Sequence, residues 1–237
     1  MHYSVTIVEG VIGVGKSTVS KELGKALEDL SGKPTLILME PDEKENANPY
    51  LAQFYEDPPR WALTMQLHLL GARYEMHELA QWYCLARQGH AVLDRSYFGD
   101  TAFARLQVRN GDMTPEEFCT YTQMYHCMQA HVLKPTVCVR LLVSPDTAYE
   151  RIQQRYMDRD GRRCEAAIGF QYLKDLDIEI TNMANVLRQQ GVLILDVPWD
   201  VERRDPSARS KAVTSLAQRI LEYSPVDPFL DLHRKTI

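Results

Sequence analysis

The segment that most constrains this chain is Gly10-Val11-Ile12-Gly13-Val14-Gly15-Lys16-Ser17, which meets the phosphate-loop pattern G-x-x-x-x-G-K-[ST] at every required position. It follows a run of β-formers over residues 3–8 and leads into apolar residues at helical spacing, Leu23, Ala26, Leu27 and Leu30, that stop at Gly32. Strand, glycine-rich loop and helix in that order are what the motif needs. The glycines let the backbone curl so that its N–H groups face a phosphate, and the helix start offers the positive end of its dipole to the same anion. Lys16 then neutralises β- and γ-phosphate oxygens, Ser17 reaches Mg²⁺, and Thr18 closes the nucleotide-binding stretch. ATP is the ligand this segment implies.

Further short apolar runs at residues 35–39, 91–93, 137–143 and 192–197 read as buried strands, and residues 61–88, 115–133, 145–156 and 171–190 read as helices. The alternation predicts an α/β fold, a central parallel five-stranded sheet with helices on both faces. With 237 residues the chain has enough material for one substantial core, so a single domain over residues 1–237 is expected, with 224–237 an extended tail containing Pro225 and Pro228. A formal net charge of -5 argues against general nucleic-acid binding, and no apolar run approaches the roughly 20 residues of a membrane span. Cys84, Cys119, Cys127, Cys138 and Cys164 are scattered, with no C-x-x-C pair, which points to a reducing compartment and a cytoplasmic location. A strand and phosphate loop so near Met1 leave no room for a targeting peptide.

The phosphate loop does not name the acceptor. Neither a guanine-reading N-K-x-D nor a motor-type arrangement is present, so a small-molecule kinase is the leading class. Glu40 ends the second strand, where the loops of a parallel sheet form a ligand crevice, and a carboxylate there can take the proton of an attacking hydroxyl. Asp94-Arg95-Ser96 ends the third strand: Asp94 suits a Mg²⁺ shell and Arg95 suits a bridge between phosphate and acceptor. Gln66 and Arg73 share one helix face. Arg151, Arg155, Arg159 and Arg162 recur at three- and four-residue steps and predict a lid over about 151–168 that closes on the ATP phosphates, bending at Gly161. A solvated face paired with Glu150, Asp158 and Glu165 is the plain alternative. The histidines have no metal-ligand spacing.

The ensemble of Glu9 through Ser17, Glu40-Pro41, Tyr55 through Trp61 to Gln66, Asp94-Arg95-Ser96 and the arginine-rich lid resembles the deoxynucleoside kinase family over about residues 3–200. The resemblance implies a P-loop kinase fold and a homodimer packed through its long helices, using Mg²⁺ and ATP on a deoxynucleoside. It further implies that Glu40 is the base for the 5′-hydroxyl and that Arg95 touches that oxygen and the phosphates. Tyr55 and Glu165 would hold the 3′-hydroxyl, Gln66 would read the base edge, and Arg73 with Asp100 would face its far end. Arg151, Arg155 and Arg162 would be lid arginines. An Arg–Asp pair resembles the deoxycytidine, deoxyguanosine and deoxyadenosine kinases and disfavours thymidine.

Three features depart from the family pattern. Asp94 stands where Glu is common, the lid is a few residues longer so that Arg159 competes with Arg162, and Ala104 falls where a phenylalanine often lies beneath the base, with Phe103 one position early. On that count the pocket is wide and purines are slightly favoured. The alternatives are a nucleoside monophosphate kinase of the thymidylate kinase type and a phosphate-loop module without turnover.

Overall fold

The computed structural model describes residues 3–40, 48–157, 168–200 and 205–223. The expected lid residues Arg159, Gly161, Arg162 and Glu165, together with Pro41 and the tail 224–237, lie outside them.

The first strand, β1 (Ser4–Glu9), is buried along its whole length because it runs between β3 (His90–Asp94) and β4 (Val137–Leu142), parallel to both. With β2 (Thr35–Leu38) and β5 (Leu193–Pro198) outside them, the order is β2-β3-β1-β4-β5 and every pairing is parallel. That is the expected sheet. Its central strands read as continuous apolar runs because helices cover both faces. The phosphate loop, Glu40 and Asp94-Arg95 follow β1, β2 and β3, so three adjacent strands bring them to one carboxyl-end edge.

Helix α1 (Lys16–Ser31) buries Val19, Leu23 and Leu27, an i, i+4, i+8 stripe, and ends where Gly32 adopts φ 66 and donates its N–H to Glu28 O. A short α2 (Leu51–Glu56) precedes α3 (Pro58–Arg87), whose first turn carries prolines and whose cap, Asp57, accepts from the Arg60 N–H. At 30 residues α3 is about 45 Å long, at ~1.5 Å per residue. Next come α4 (Tyr97–Asn110) and α5 (Pro115–Gln129), the latter opened by a Thr114/Glu117 capping box. After β4 follow α6 (Pro145–Met157), α7 (Phe170–Gln189) and, beyond β5, α8 (Pro206–Glu222).

The expected strands and helices all form, with ends displaced by a few residues. Helices α2, α4 and α8 are additional. Burial on nearly every side of α4, from Tyr97 to Gln107, erases the amphipathic period that betrays a surface helix. By contrast α8 has the period, Val213, Leu216, Ala217 and Ile220, and packs it on α1.

The approach of β2 to β3 is set by Gly89, just before β3. The His90 N–H donates to Pro34 O at 3.0 Å, and a Cβ at residue 89 would run into that carbonyl oxygen. Gly89→Ala is therefore expected to cost about 1–3 kcal/mol, lowering the thermal midpoint by about 2–12 °C for a chain of this size. An unchanged midpoint in a melting experiment would show that the strands can part without loss.

Candidate active site

A cleft of about 300 Å³ opens at the carboxyl ends of β1, β2 and β3. One end is the phosphate loop, lined by Ile12, Gly13 and Gly15 to Thr18. Here the glycines are dictated by geometry: Gly10 (φ 151) and Gly13 (φ 88) take left-handed backbone, and a Cβ on them would lie 2.8 Å from Leu141 O and 2.7 Å from Ala148 O. Lys16 folds back to donate to Gly10 O (3.2 Å) and Val11 O (2.9 Å). Burial, then the charge of Arg95, pulls its pKa down to about 7 against the pull of Asp94, Glu40 and Glu9.

Ser17 Oγ donates to Asp94 Oδ2 at 2.5 Å, while Asp94 Oδ1 is buried without a hydrogen-bond partner. A hydroxyl and a carboxylate with an unused oxygen are the hard donors that Mg²⁺ prefers. Among the described residues no group of three His, Cys, Asp or Glu forms a protein cage, so phosphate oxygens and water would supply the remaining ligands.

The other end of the cleft belongs to Glu40, Arg73 and Arg95. The Glu40 carboxylate accepts from Arg73 through Oε1 and from Arg95 Nε at 3.1 Å through Oε2. Burial alone would push its pKa up, but the two guanidinium charges override it and hold it at about 2. Arg95 also donates from Nη1 to Gly10 O at 3.3 Å, joining the two ends. It achieves this with a left-handed backbone, φ 68, a strained state for a residue with a Cβ. Both guanidinium groups stack on Phe103, Arg95 at 4.5 Å and Arg73 at 5.2 Å from the ring centre.

Tyr55 and Arg155 line the cleft as the sequence leads one to expect. Three expected contacts sit elsewhere. Gln66 and Asp100 have no exposed surface and lie behind the lining, where Asp100 pairs with Arg73 and takes the Gln66 amide. Arg151 is turned away from the cleft: it donates to Val14 O and Trp199 O, each at 3.1 Å, and so clamps the back of the phosphate loop to the end of β5. The base-facing ring also differs from expectation. Phe103 lines the cleft and Ala104 is fully buried in the core, so the wide pocket inferred from Ala104 does not exist.

Several lining residues have no sequence motif to announce them: Asn48, Leu51, Phe54, Met65, Leu69 and Tyr172. Glu9 is missed for another reason. Fully buried beside the phosphate loop, it accepts from Ser96 Oγ at 2.7 Å, approaches Arg95 Nη1 at 3.9 Å, and forbids any side chain at Gly99, whose Cβ would strike its carboxylate. Burial pushes its pKa up despite Arg95 and Ser96. Its place in the motif signalled it; its chemistry did not.

Set beside known proteins, residues 6–221 match the family model described as Deoxynucleoside kinase. The match runs through α8, further than residue 200, where the sequence resemblance fades. A deoxyguanosine kinase of Dictyostelium discoideum is 32% identical over 83% of this chain and 64% of its own length, so the chain spans less than two thirds of that relative. A deoxyadenosine/deoxycytidine kinase of Bacillus subtilis is 31% identical over 82% of each chain. In fold, the chain superposes on a deoxyadenosine kinase from M. mycoides solved with bound dATP, TM-score 0.71 at 23% identity, covering 91% of this chain and 99% of that one.

The doubly paired Glu40 has a measurable pH signature. Unfolded, it protonates near its ordinary 4.5; folded, it stays ionised down to about 2. Its pairing therefore stabilises fully above about 4.5 and fades as pH falls toward 2. The thermal-midpoint gap between wild type and Glu40→Gln should be widest near neutral pH and shrink through that window. A gap independent of pH would contradict the pairing.

Proposed function

The chain belongs to the deoxynucleoside kinase family, and on that premise we propose that it transfers the γ-phosphate of ATP to the 5′-hydroxyl of a deoxynucleoside, favouring deoxyadenosine, deoxyguanosine or deoxycytidine over thymidine. The observation that carries this reading is the single cleft with a phosphate loop at one end, Glu40 at the other, and Arg95 bonded to both. In the reaction Glu40 takes the proton of the 5′-hydroxyl, that oxygen bonds to the γ-phosphorus, and the bond to the β–γ bridging oxygen breaks to release ADP. Lys16, Arg95 and Arg155 meet the charge on the transferred group, and the loop N–H groups from Gly10 to Thr18 hold the β-phosphate. Mg²⁺, when bound by Ser17 and Asp94, neutralises phosphate charge.

On the acceptor side Tyr55 and Glu165 hold the 3′-hydroxyl, Phe103 lies against the base, and Gln66 with Arg73 reads its edge. Arg151 acts on the nucleotide through the loop it clamps, and Arg162 belongs to the lid. The base preference is supported by the buried Arg73–Asp100 pair and by relatives named for deoxyguanosine, deoxyadenosine and deoxycytidine. With Phe103 at the cleft, nothing favours purines over cytosine. The same reading makes the protein a cytoplasmic enzyme of nucleotide salvage. No described helix is long and apolar enough to cross a membrane. A homodimer is supported by Leu79 and Trp82 on α3 and Met124 on α5, large apolar side chains left 52%, 60% and 43% exposed.

The test supplies ATP and Mg²⁺ with each deoxynucleoside or its 5′-monophosphate. Phosphorylation of the nucleosides is expected, and turnover of monophosphates alone would replace this reading with a nucleoside monophosphate kinase. Glu40→Gln should lower kcat by about 10²–10⁴ with the KM for ATP nearly unchanged; a variant with wild-type kcat at saturation would remove Glu40 from the chemistry.

A further inference from the structure

Behind the cleft wall three helices converge on one carboxylate. Asp100 Oδ2 accepts from Gln66 Nε2 of α3 at 2.8 Å and from the Tyr121 hydroxyl of α5 at 2.6 Å, and Oδ1 takes the Arg73 guanidinium. Tyr121 does not line the cleft. It is 1% exposed, and its ring stacks with Phe118 and Tyr125 at 6.1 and 6.4 Å, which fixes where the hydroxyl points. Burial and the Asp100 charge push its pKa well above 10, so it remains a donor.

A carboxylate oxygen accepts about two hydrogen bonds, so Oδ2 is filled. All its neighbours donate, which obliges the Gln66 amide to show Nε2 to Asp100 and turn Oε1 away. Gln66 Oε1 is buried and has no hydrogen-bond partner, although its neighbours Met65 and Leu69 on α3 line the cleft. A buried acceptor without a donor is a cost that a ligand N–H relieves.

We propose that Tyr121 is a positioning residue for base specificity: by filling Asp100 Oδ2 it steadies the Gln66 amide, whose Nε2 also donates to the Asp100 main-chain O at 3.3 Å, so that the unpartnered acceptor Oε1 is left for the base and an amino group at that edge is preferred. This rests on the kinase reading and on Gln66 as the group that reads the base. Without the hydroxyl, the Asp100 carboxylate can rotate to face both oxygens to the forked Arg73, a favoured pairing. Gln66 then loses its shorter bond and keeps only the one from Nε2 to the Asp100 main-chain O at 3.3 Å, which holds its amide less firmly.

The experiment compares kcat/KM within size-matched pairs that differ only at this edge, deoxycytidine against deoxyuridine and deoxyadenosine against deoxyinosine. Wild type should prefer the amino member of each pair. Tyr121→Phe should narrow both ratios by about 5-fold or more, the low end for one buried hydrogen bond, with the KM for ATP unchanged. Should that variant not fold, Asp100→Asn tests the same lock. Keeping its oxygen on Arg73, the asparagine shows Nδ2 to Gln66, which favours the flipped glutamine at the cost of the longer 3.3 Å bond to the main-chain O of residue 100, and the ratios move toward the oxo member. Ratios that hold while all activities fall in parallel make Tyr121 merely structural, and ratios that widen mean Asp100 meets the amino group itself; either overturns the proposal, as does a wild-type ratio near one. Absence of phosphorylation of all four nucleosides by wild type overturns the kinase reading and this proposal with it.

Discussion

The guanidinium of Arg95 is bonded at once to Gly10 O at 3.3 Å and to Glu40 Oε2 at 3.1 Å, and the geometry of the cleft follows from that link. To sit there, Arg95 must leave β3 sharply, and its φ of 68 is the turn that lets it do so. A left-handed residue with a Cβ costs roughly 1–2 kcal/mol, and the surroundings hold it from several sides. Its backbone N–H donates to Val8 O at 3.1 Å, Phe103 supports the guanidinium face, and the buried Glu9 carboxylate lies 3.9 Å away. Glu9 in turn needs the space left by Gly99 at the start of α4. Strand ends, loop and helix start are thus interlocked through one side chain.

The same link governs the chemistry of Glu40. Held by two guanidinium groups, its pKa sits at about 2, a poor match near neutral pH for the base that the proposed reaction makes of it. A base becomes stronger when its cationic partners are shared with another anion. Arg95 already reaches Gly10 at the phosphate loop, so a triphosphate there competes with Glu40 for the same charge. Lys16, pulled down to about 7 partly by Arg95, gains from that phosphate as well. On the proposed reading, donor binding and the basicity of Glu40 are coupled through Arg95.

How much of this was legible in the sequence divides along a physical line. The sheet and the phosphate loop were, because backbone geometry dictates residue type there: Gly10 and Gly13 cannot carry a Cβ, and strands covered on both faces, such as β3 and β4, are built mainly of apolar β-formers. Strand-end residues Glu40, Asp94 and Arg95 were legible from position in a parallel sheet. Helix α4 was not, since burial on nearly every side removes periodicity, and without it the family count put Ala104 where Phe103 faces the cleft. Arg151 shows the limit of spacing arguments. It shares a helical stripe with Arg155, yet the ~40° between positions i and i+4 of a helix puts one guanidinium on the loop's back and leaves the other lining the cleft.

On the proposed reading, the acceptor half of the cleft obeys a different logic from the phosphate half. Phosphates are bound largely by backbone, so a short contiguous segment suffices and its residues announce themselves. A base edge is read by side chains, and side chains buried at low dielectric are reliable only if each donor and acceptor is matched. Here Gln66 and Arg73 from α3 and Tyr121 from α5 are matched on Asp100 from α4, across up to 55 positions in the chain, and Gln66 Oε1 is left over. No local pattern links them, because the constraint among them is satisfaction of hydrogen bonds and not spacing. If Tyr121 positions Gln66 as proposed, specificity can change without touching the cleft lining: one hydroxyl gained or lost on α5 alters what α3 presents, while the phosphate loop and Glu40 stay as they are.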